Sequence, residues 1–468
     1  MKPRRSGDVM GEQVEAHEHE TLRTVLEEEK QEFARPVSQG SRLALAVRAL
    51  RHRNFQLFFA GQLISLIGTW MQTVAQSWLV YRLTGSALLL GTVGFASQIP
   101  VFIMAPVGGI VADRFNRRRV VIATQTASMI LAAILALLTI TGRVQVWQVM
   151  VIAAGLGVVN AFDIPARQAF LIDMVGREDL MNAIALNSSM FNGARIIGPA
   201  IAGILVASIG EGWCFFANAV SYIAVILGLL LMRITHAANL THQGSPLENI
   251  LEGFAFARNT GPIRAILLLL GLVSFVGMPY VVLMPVFADQ ILHGGARGLG
   301  ILMCATGVGA LLGAASLAAR VGVKGLGKLI AICAGGFGAS LICFSLSKIF
   351  WLSTMLLVPV GFSMMVQMAS SNTLIQAMTP DHLRGRIMSV YSMMFMGLAP
   401  FGALSAGATA HHLGAPWTVA IGGIACIAGA ILFGTHLPSI RAEARELVLA
   451  QSMAAGVPAQ GATSEGVS

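Results

Sequence analysis

Hydrophobic residues fall into twelve long runs separated by short polar breaks: 55–80, 87–112, 120–141, 146–169, 183–209, 213–232, 263–288, 300–319, 329–346, 350–378, 387–410 and 415–437. A bilayer core about 30 Å thick is crossed by about 20 helical residues, so the pattern predicts an all-α membrane protein with twelve transmembrane helices. A polar stretch at about 233–264, carrying Ser245, Pro246, Glu248 and Glu252, separates six runs from six and reads as the one long internal loop. Residues 1–40 contain nine of the 22 acids and no long apolar run. They read as a mobile cytosolic tail, with a short amphipathic helix at 21–33 as the alternative, and lack the apolar core of a signal peptide. The expected organisation is a tail (1–43), a first bundle (44–234), a linker (235–261), a second bundle (262–437) and a polar tail (438–468).

The two bundles are related in sequence. A shift of 204 residues superposes Met174 on Met378, Ser188 on Ser392, Met190 on Met394, Phe191 on Phe395, Gly193 on Gly397, Gly198 on Gly402 and Gly203 on Gly407. The fifth and eleventh runs are therefore expected to be equivalent in two six-helix pseudo-repeats about an axis along the membrane normal.

Composition agrees with a membrane chain: 55% hydrophobic and 11% charged residues over 468 positions. The net charge of +9 sits in short loops, which argues against a nucleic-acid face. Alternate loops differ sharply in Lys and Arg. One set carries Arg48, Arg51, Arg53, Arg114, Arg117, Arg118, Arg119, Arg320, Lys324, Arg384 and Arg386 among others; the opposite set carries Arg82, Arg143, Arg297 and Lys348. Short basic loops stay cytoplasmic, which predicts both termini inside. Cys214, Cys304, Cys333, Cys343 and Cys426 all lie in apolar runs without metal-ligand spacing and read as buried thiols.

The turn after the second run, Gly108 to Arg119, combines one acid with four arginines. With Gly109, Asp113, Arg114, Arg117 and Arg118 it fills the pattern Gly-x-x-x-Asp-Arg-x-x-[Arg/Lys]-[Arg/Lys], and with the six-plus-six arrangement it resembles the major facilitator superfamily. The strings NAFDIPARQAF (160–170), NAIALNSSMFNGARIIGPAIAG (182–203) and FFANAVSYIA (215–224) look like the branch that contains the enterobactin exporter. The resemblance covers about 44–437. It implies a substrate cavity at the bilayer midplane between the bundles, opening alternately to each side, and leaves the substrate open.

Candidate functional residues follow. Asp113, with Arg114, Arg117, Arg118 and a neighbouring Asp173, is expected to form a cytoplasmic gate. Asp113 with Arg117 would latch the outward-facing state against the eleventh run near Arg384 and Arg386, while Arg118 and Arg119 equally fit a purely topological role. Gly193, Gly198, Pro199 and Gly203 in the fifth run read as a helix-packing motif resembling, with imperfect spacing, the superfamily's antiporter motif. Arg195 falls well inside the bilayer, as an anchor for anionic or polar substrate groups or as a structural Arg with a buried partner. Gln62, Ser65, Thr69, Gln72, Thr73 and Gln76 form a polar stripe along the first run. The stripe suits a cavity wall or interhelical hydrogen bonds, with Asn187, Asn192 and Gln98 as further lining.

No acid is expected at the midplane. Asp163 and Asp289 are the proton-coupling candidates, with an ion pair to Arg167 as the alternative for Asp163. GVKGLGKL (322–329) misses the phosphate-loop pattern because Leu329 replaces the hydroxyl residue, and His411-His412 falls short of a metal site. No metal, cofactor or enzymatic constellation is expected. The expected function is a bacterial inner-membrane exporter of a small amphipathic or polar metabolite, siderophore or drug, exchanging it for protons. Uptake or facilitated diffusion, and a non-transporting sensor or scaffold, are the alternatives. Expected partners are a small-molecule substrate, protons and the lipid bilayer, and the protein is expected to be a monomer.

Overall fold

The computed structural model describes residues 48–233, 246–320, 322–438, 441–445 and 447. Twelve helices in it are long and apolar enough to cross a membrane. They are Arg53–Thr84, Ala87–Arg114, Arg117–Ile140, Val146–Val175, Leu180–Ile209, Glu211–Leu231, Gly261–Ile291, Gly295–Ala318, Leu326–Leu346, Phe350–Met378, Leu383–Leu413 and Ala415–Thr435, here called the first to twelfth spans. Most extend beyond the hydrophobic runs, because polar residues continue a helix once it leaves the bilayer core. The fourth, for example, runs on past Pro165 to Val175.

Local chemistry sets several ends. The first span stops at Gly85 in the left-handed region (φ 61°), and the second starts at once, with the Ser86 hydroxyl accepting from the Leu89 amide. The Asn116 side chain caps the third span by accepting from the Arg119 amide.

Within the first half, the first span packs on the fifth and sixth, the second on the fourth, and the third on the sixth. The second half repeats this scheme, eighth on tenth and ninth on twelfth. The halves meet where the fifth span packs on the eighth and the second on the eleventh. These two contacts are counterparts under the 204-residue repeat, so the duplication read from glycines and methionines is also the symmetry of the packing. Bare backbones make both crossings. Gly203 lies against Gly300, and Gly91 against Gly407, with no room for a β-carbon between them.

Both crossings lie toward the side of the loops at Gly85, Gly210, Gly294 and Gly414. On the opposite side, that of the basic loops, the halves part: Gly261–Leu272 and Asp381–Met396, the segments of the seventh and eleventh spans nearest those loops, pack on elements of their own half. The molecule is closed on one face and open on the basic one.

The seventh and eleventh spans are not continuous α-helices. The seventh has π-helical turns at Val273–Gly277 and Phe287–Ile291, with Pro279 and Pro285 between them removing two backbone donors. The eleventh is interrupted between Asp381–Met396 and Ala399–Leu413. The Ser274 hydroxyl donates to the Phe395 carbonyl at this break.

The central polar stretch departs from its reading as a loop, since Pro246–Asn259 is a helix. It lies on the eleventh span, where Gly253 fits beneath the Arg386 carbonyl and Glu252 pairs with Arg386. Among its described side chains Glu252, Arg258 and Asn259 are exposed, whereas Gly253 and Ala257 are buried. The expected tail 1–43, including the amphipathic alternative at 21–33, lies outside the described residues, as does most of 438–468.

Candidate functional site

Arg195 stands where the fifth span bends. Four residues on, Pro199 has no N–H to give to the Arg195 carbonyl, and that oxygen lies instead against Gly307 of the eighth span. The bend thereby brings Arg195 to the seam between the halves. The residue is half-buried, with its guanidinium deep in the fold and 5.6 Å from the Trp70 ring centroid. It makes no ion pair and no hydrogen bond among the described residues.

Arg195 opens into a cavity of about 220 Å³. Trp70, Gln98 and Pro199 complete the wall from the first half; Met278, Pro279, Val281, Val282, Met303, Thr306, Ala399 and Ala403 come from the second. The first, second and fifth spans thus face their repeat counterparts, the seventh, eighth and eleventh. Tyr280, next to the Pro279 bend, is buried behind the wall, where it interacts electrostatically with Arg195 and lies beside the Thr306 hydroxyl. Among the described residues no Asp or Glu lines the cavity.

Several expected cavity residues are elsewhere. Gln72 is buried and accepts from the Asn218 amide (2.7 Å), and Thr69 donates to the Ser65 carbonyl (2.9 Å) and touches the Tyr222 hydroxyl (3.4 Å). Gln72 and Thr69 therefore join the first span to the sixth as interhelical glue, while the Thr73 hydroxyl bonds back to the Thr69 carbonyl of its own helix (2.9 Å). Gln76 is half-buried outside the cavity wall. Asn192 and Asn187 lie about one and two turns from Arg195 toward the open face, and Asn192 bonds back to the Ser188 carbonyl (2.9 Å). Gly198 packs on Trp70 and Ile67, and Gly203 on Gly300, but Gly193 faces open space and is no part of a packing motif.

Arg117 and Arg118 of the basic turn are tied to spans of the first half. Arg117 pairs with Asp173 (3.0 Å) and reaches the Ala112 and Ala169 carbonyls, joining the third span to the fourth instead of binding Asp113. Arg118 donates to the Leu229 and Leu230 carbonyls (2.7 and 2.9 Å), capping the sixth span. Asp113 and Arg114 are exposed at the open face, and Asp113 has no partner among the described residues.

The proton-coupling candidates also separate. Asp163 is buried inside the first half and accepts from Thr124 (2.7 Å) and Gln125 (2.9 Å), with Arg167 at 3.3 Å. Asp289 lies on the closed face in a π-turn and accepts from Tyr81 of the first span (3.2 Å), a bond across the seam.

Trp70, Met278, Pro279, Tyr280, Met303 and Thr306 were not singled out by sequence. The sequence-level signal for the seventh span is its two mid-span prolines, Pro279 and Pro285. Also unforeseen were the Arg82–Glu211 pair (2.7 Å) on the closed face and the cluster of Arg48, His52 and Asp179 on the open one. Among the described residues no group of His, Cys, Asp and Glu is placed to hold a metal ion.

The sequence profile described as transmembrane secretion effector matches residues 44–458. The chain belongs to that family, within the major facilitator superfamily. Members of the family are transporters, and this chain is an integral membrane transporter of a small-molecule substrate. It is 27% identical over 379 residues to the staphyloferrin A transporter of Staphylococcus aureus, covering 80% of this chain and 94% of that one. It is 28% identical over 368 residues to the multidrug efflux pump Tap of Mycolicibacterium fortuitum, covering 74% and 87%. To the enterobactin exporter EntS of Escherichia coli it is 25% identical over 394 residues, covering 84% and 93%. The fold is shared with the nucleoside transporter NupG (TM-score 0.63, 16% identity, 82% of this chain and 98% of that one). It is shared equally with a D-xylose–proton symporter (TM-score 0.62, 15% identity, 80% and 97%).

Proposed function

We propose that this transporter is a secondary active exporter of the bacterial inner membrane, with both termini in the cytoplasm. It moves a small amphipathic or polar metabolite, siderophore or drug outward by alternating access between bundles 44–234 and 262–437, as a monomer and in exchange for protons. The observation that carries the reading is the cavity at the seam, open toward the basic loops, into which an unpartnered Arg195 projects. Basic loops mark the cytoplasmic side, so the cavity is loaded from the cell interior. The names of the three relatives, two siderophore transporters and a drug pump, support this class of cargo.

The exchange step is assigned to Asp289. It is exposed on the seam at the outer face and bonded across it to Tyr81, whereas Asp163 is held within one half. Asp113 is free here because its partner, the start of the eleventh span, approaches only when the inner face closes.

The test is flux into inverted vesicles, with the proton gradient imposed and then collapsed, for a panel of siderophores and drugs. Gradient-dependent accumulation of a panel member is expected. Accumulation indifferent to collapse would remove proton exchange, and release in place of accumulation would reverse the direction.

A further inference from the structure

We infer that the seam cavity selects organic monoanions with an aromatic or apolar body, a carboxylate or phenolate in place of an organic cation. The inference rests on the reading of this cavity as the substrate site and specifies the class that the site takes.

The charge balance of the cavity leads to it. A guanidinium has five N–H donors in a planar fork suited to a carboxylate. Those of Arg195 are deep in the protein, yet none meets an acceptor among the described residues and no acid lines the wall. A buried cation in that condition is destabilised by lost hydration, and its contact with the Trp70 face offsets this in part. An entering anion supplies the missing counter-charge, and an entering cation adds repulsion. One arginine compensates one negative charge, so a second carboxylate would be buried without a partner.

The remaining wall sets the body of the ligand. Met278, Met303, Val281 and Val282 are apolar and the thioethers adapt their shape, while Trp70 offers a ring. Neutral hydrogen-bonding groups on the wall are few, Gln98 and Thr306. This is too sparse a set for a sugar or nucleoside and sufficient for one acidic head on a hydrophobic body. The basic loops around the open face raise the local concentration of anions.

The experiment is calorimetric titration of the full-length protein in lipid nanodiscs with three probes of one shape: 2-naphthoate, 2-naphthylmethanol and 2-naphthylmethylammonium. The anion is expected to bind at least about tenfold more tightly than the other two. Arg195→Lys should keep part of that preference and Arg195→Gln should abolish it, while residual binding of the neutral probe shows that the Gln variant is folded. Equal binding of the three probes by the wild type, tighter binding of the cation, failure of all three to bind, or an undiminished preference in Arg195→Gln would overturn the inference. The wild-type comparison stands even if a variant fails to fold. Binding without charge preference leaves export intact as a reading, and anion binding without flux in vesicles counts against export but not against this site.

Discussion

Two ionised side chains within the first half illustrate how alike residues come to differ in role. Arg195 and Asp163 both fall inside apolar runs, and each has an expected function and a structural alternative. Asp163 meets Thr124, Gln125 and Arg167, so its charge is compensated within one bundle. Arg195 meets only an aromatic face. Removing the Asp163 carboxylate takes the acceptor from the buried Thr124 and Gln125 and the counter-charge from the partly buried Arg167, and Asp163→Ala should cost about 3 kcal/mol of stability. Thermal unfolding of the purified protein checks this. Arg195→Ala removes an unpartnered charge and should leave the unfolding midpoint unchanged or raised while export falls. That contrast separates a structural ion from a functional one.

The spans carry a different kind of information. Their existence and approximate limits were legible because a bilayer requires about 20 apolar residues regardless of what a helix packs against. The helix Pro246–Asn259 was not legible in the same way, since its polar face resembles a loop in composition and the surface it covers comes from the eleventh span. The glycines at the crossings have a sharper consequence. Gly203→Val would drive a branched side chain into the Gly300 backbone, and the two halves would no longer close on the outer face. Insertion is expected to be normal and transport lost, with a cysteine placed in the outer part of the cavity becoming accessible to an impermeant reagent. Gly193→Ala, a change at open space on the same span, should be tolerated.

The whole transporter is a balance between a face held shut and a face standing open. Tyr81 to Asp289 is a hydrogen bond across the seam on the closed face. Tyr81→Phe removes a net contribution of about 1 kcal/mol, a shift on the order of fivefold toward the outward-open state. Spectroscopic distances between labels on the two halves measure that population. Asp113→Asn should act in the opposite sense, disfavouring closure of the inner face and slowing transport without lowering the amount of protein inserted.

Twelve spans, their duplication and the charge asymmetry of the loops were contained in the chain itself. Each reflects a local demand of the bilayer: length of apolar run, repeated small residues, cations kept to one side. Which polar residues face the cavity was not contained there. The stripe from Gln62 to Gln76 and the isolated Arg195 are both polar groups on apolar helices, and periodicity gives a face but not what stands opposite it. Folding set the sixth span, with Asn218 and Tyr222, against the stripe, and set Met278, Val282, Met303 and Thr306 of the seventh and eighth spans, none of them acidic, around the cavity that Arg195 lines. A polar group in a membrane interior takes its meaning from its partner, and for the stripe those partners lie 146 and 153 residues away along the chain.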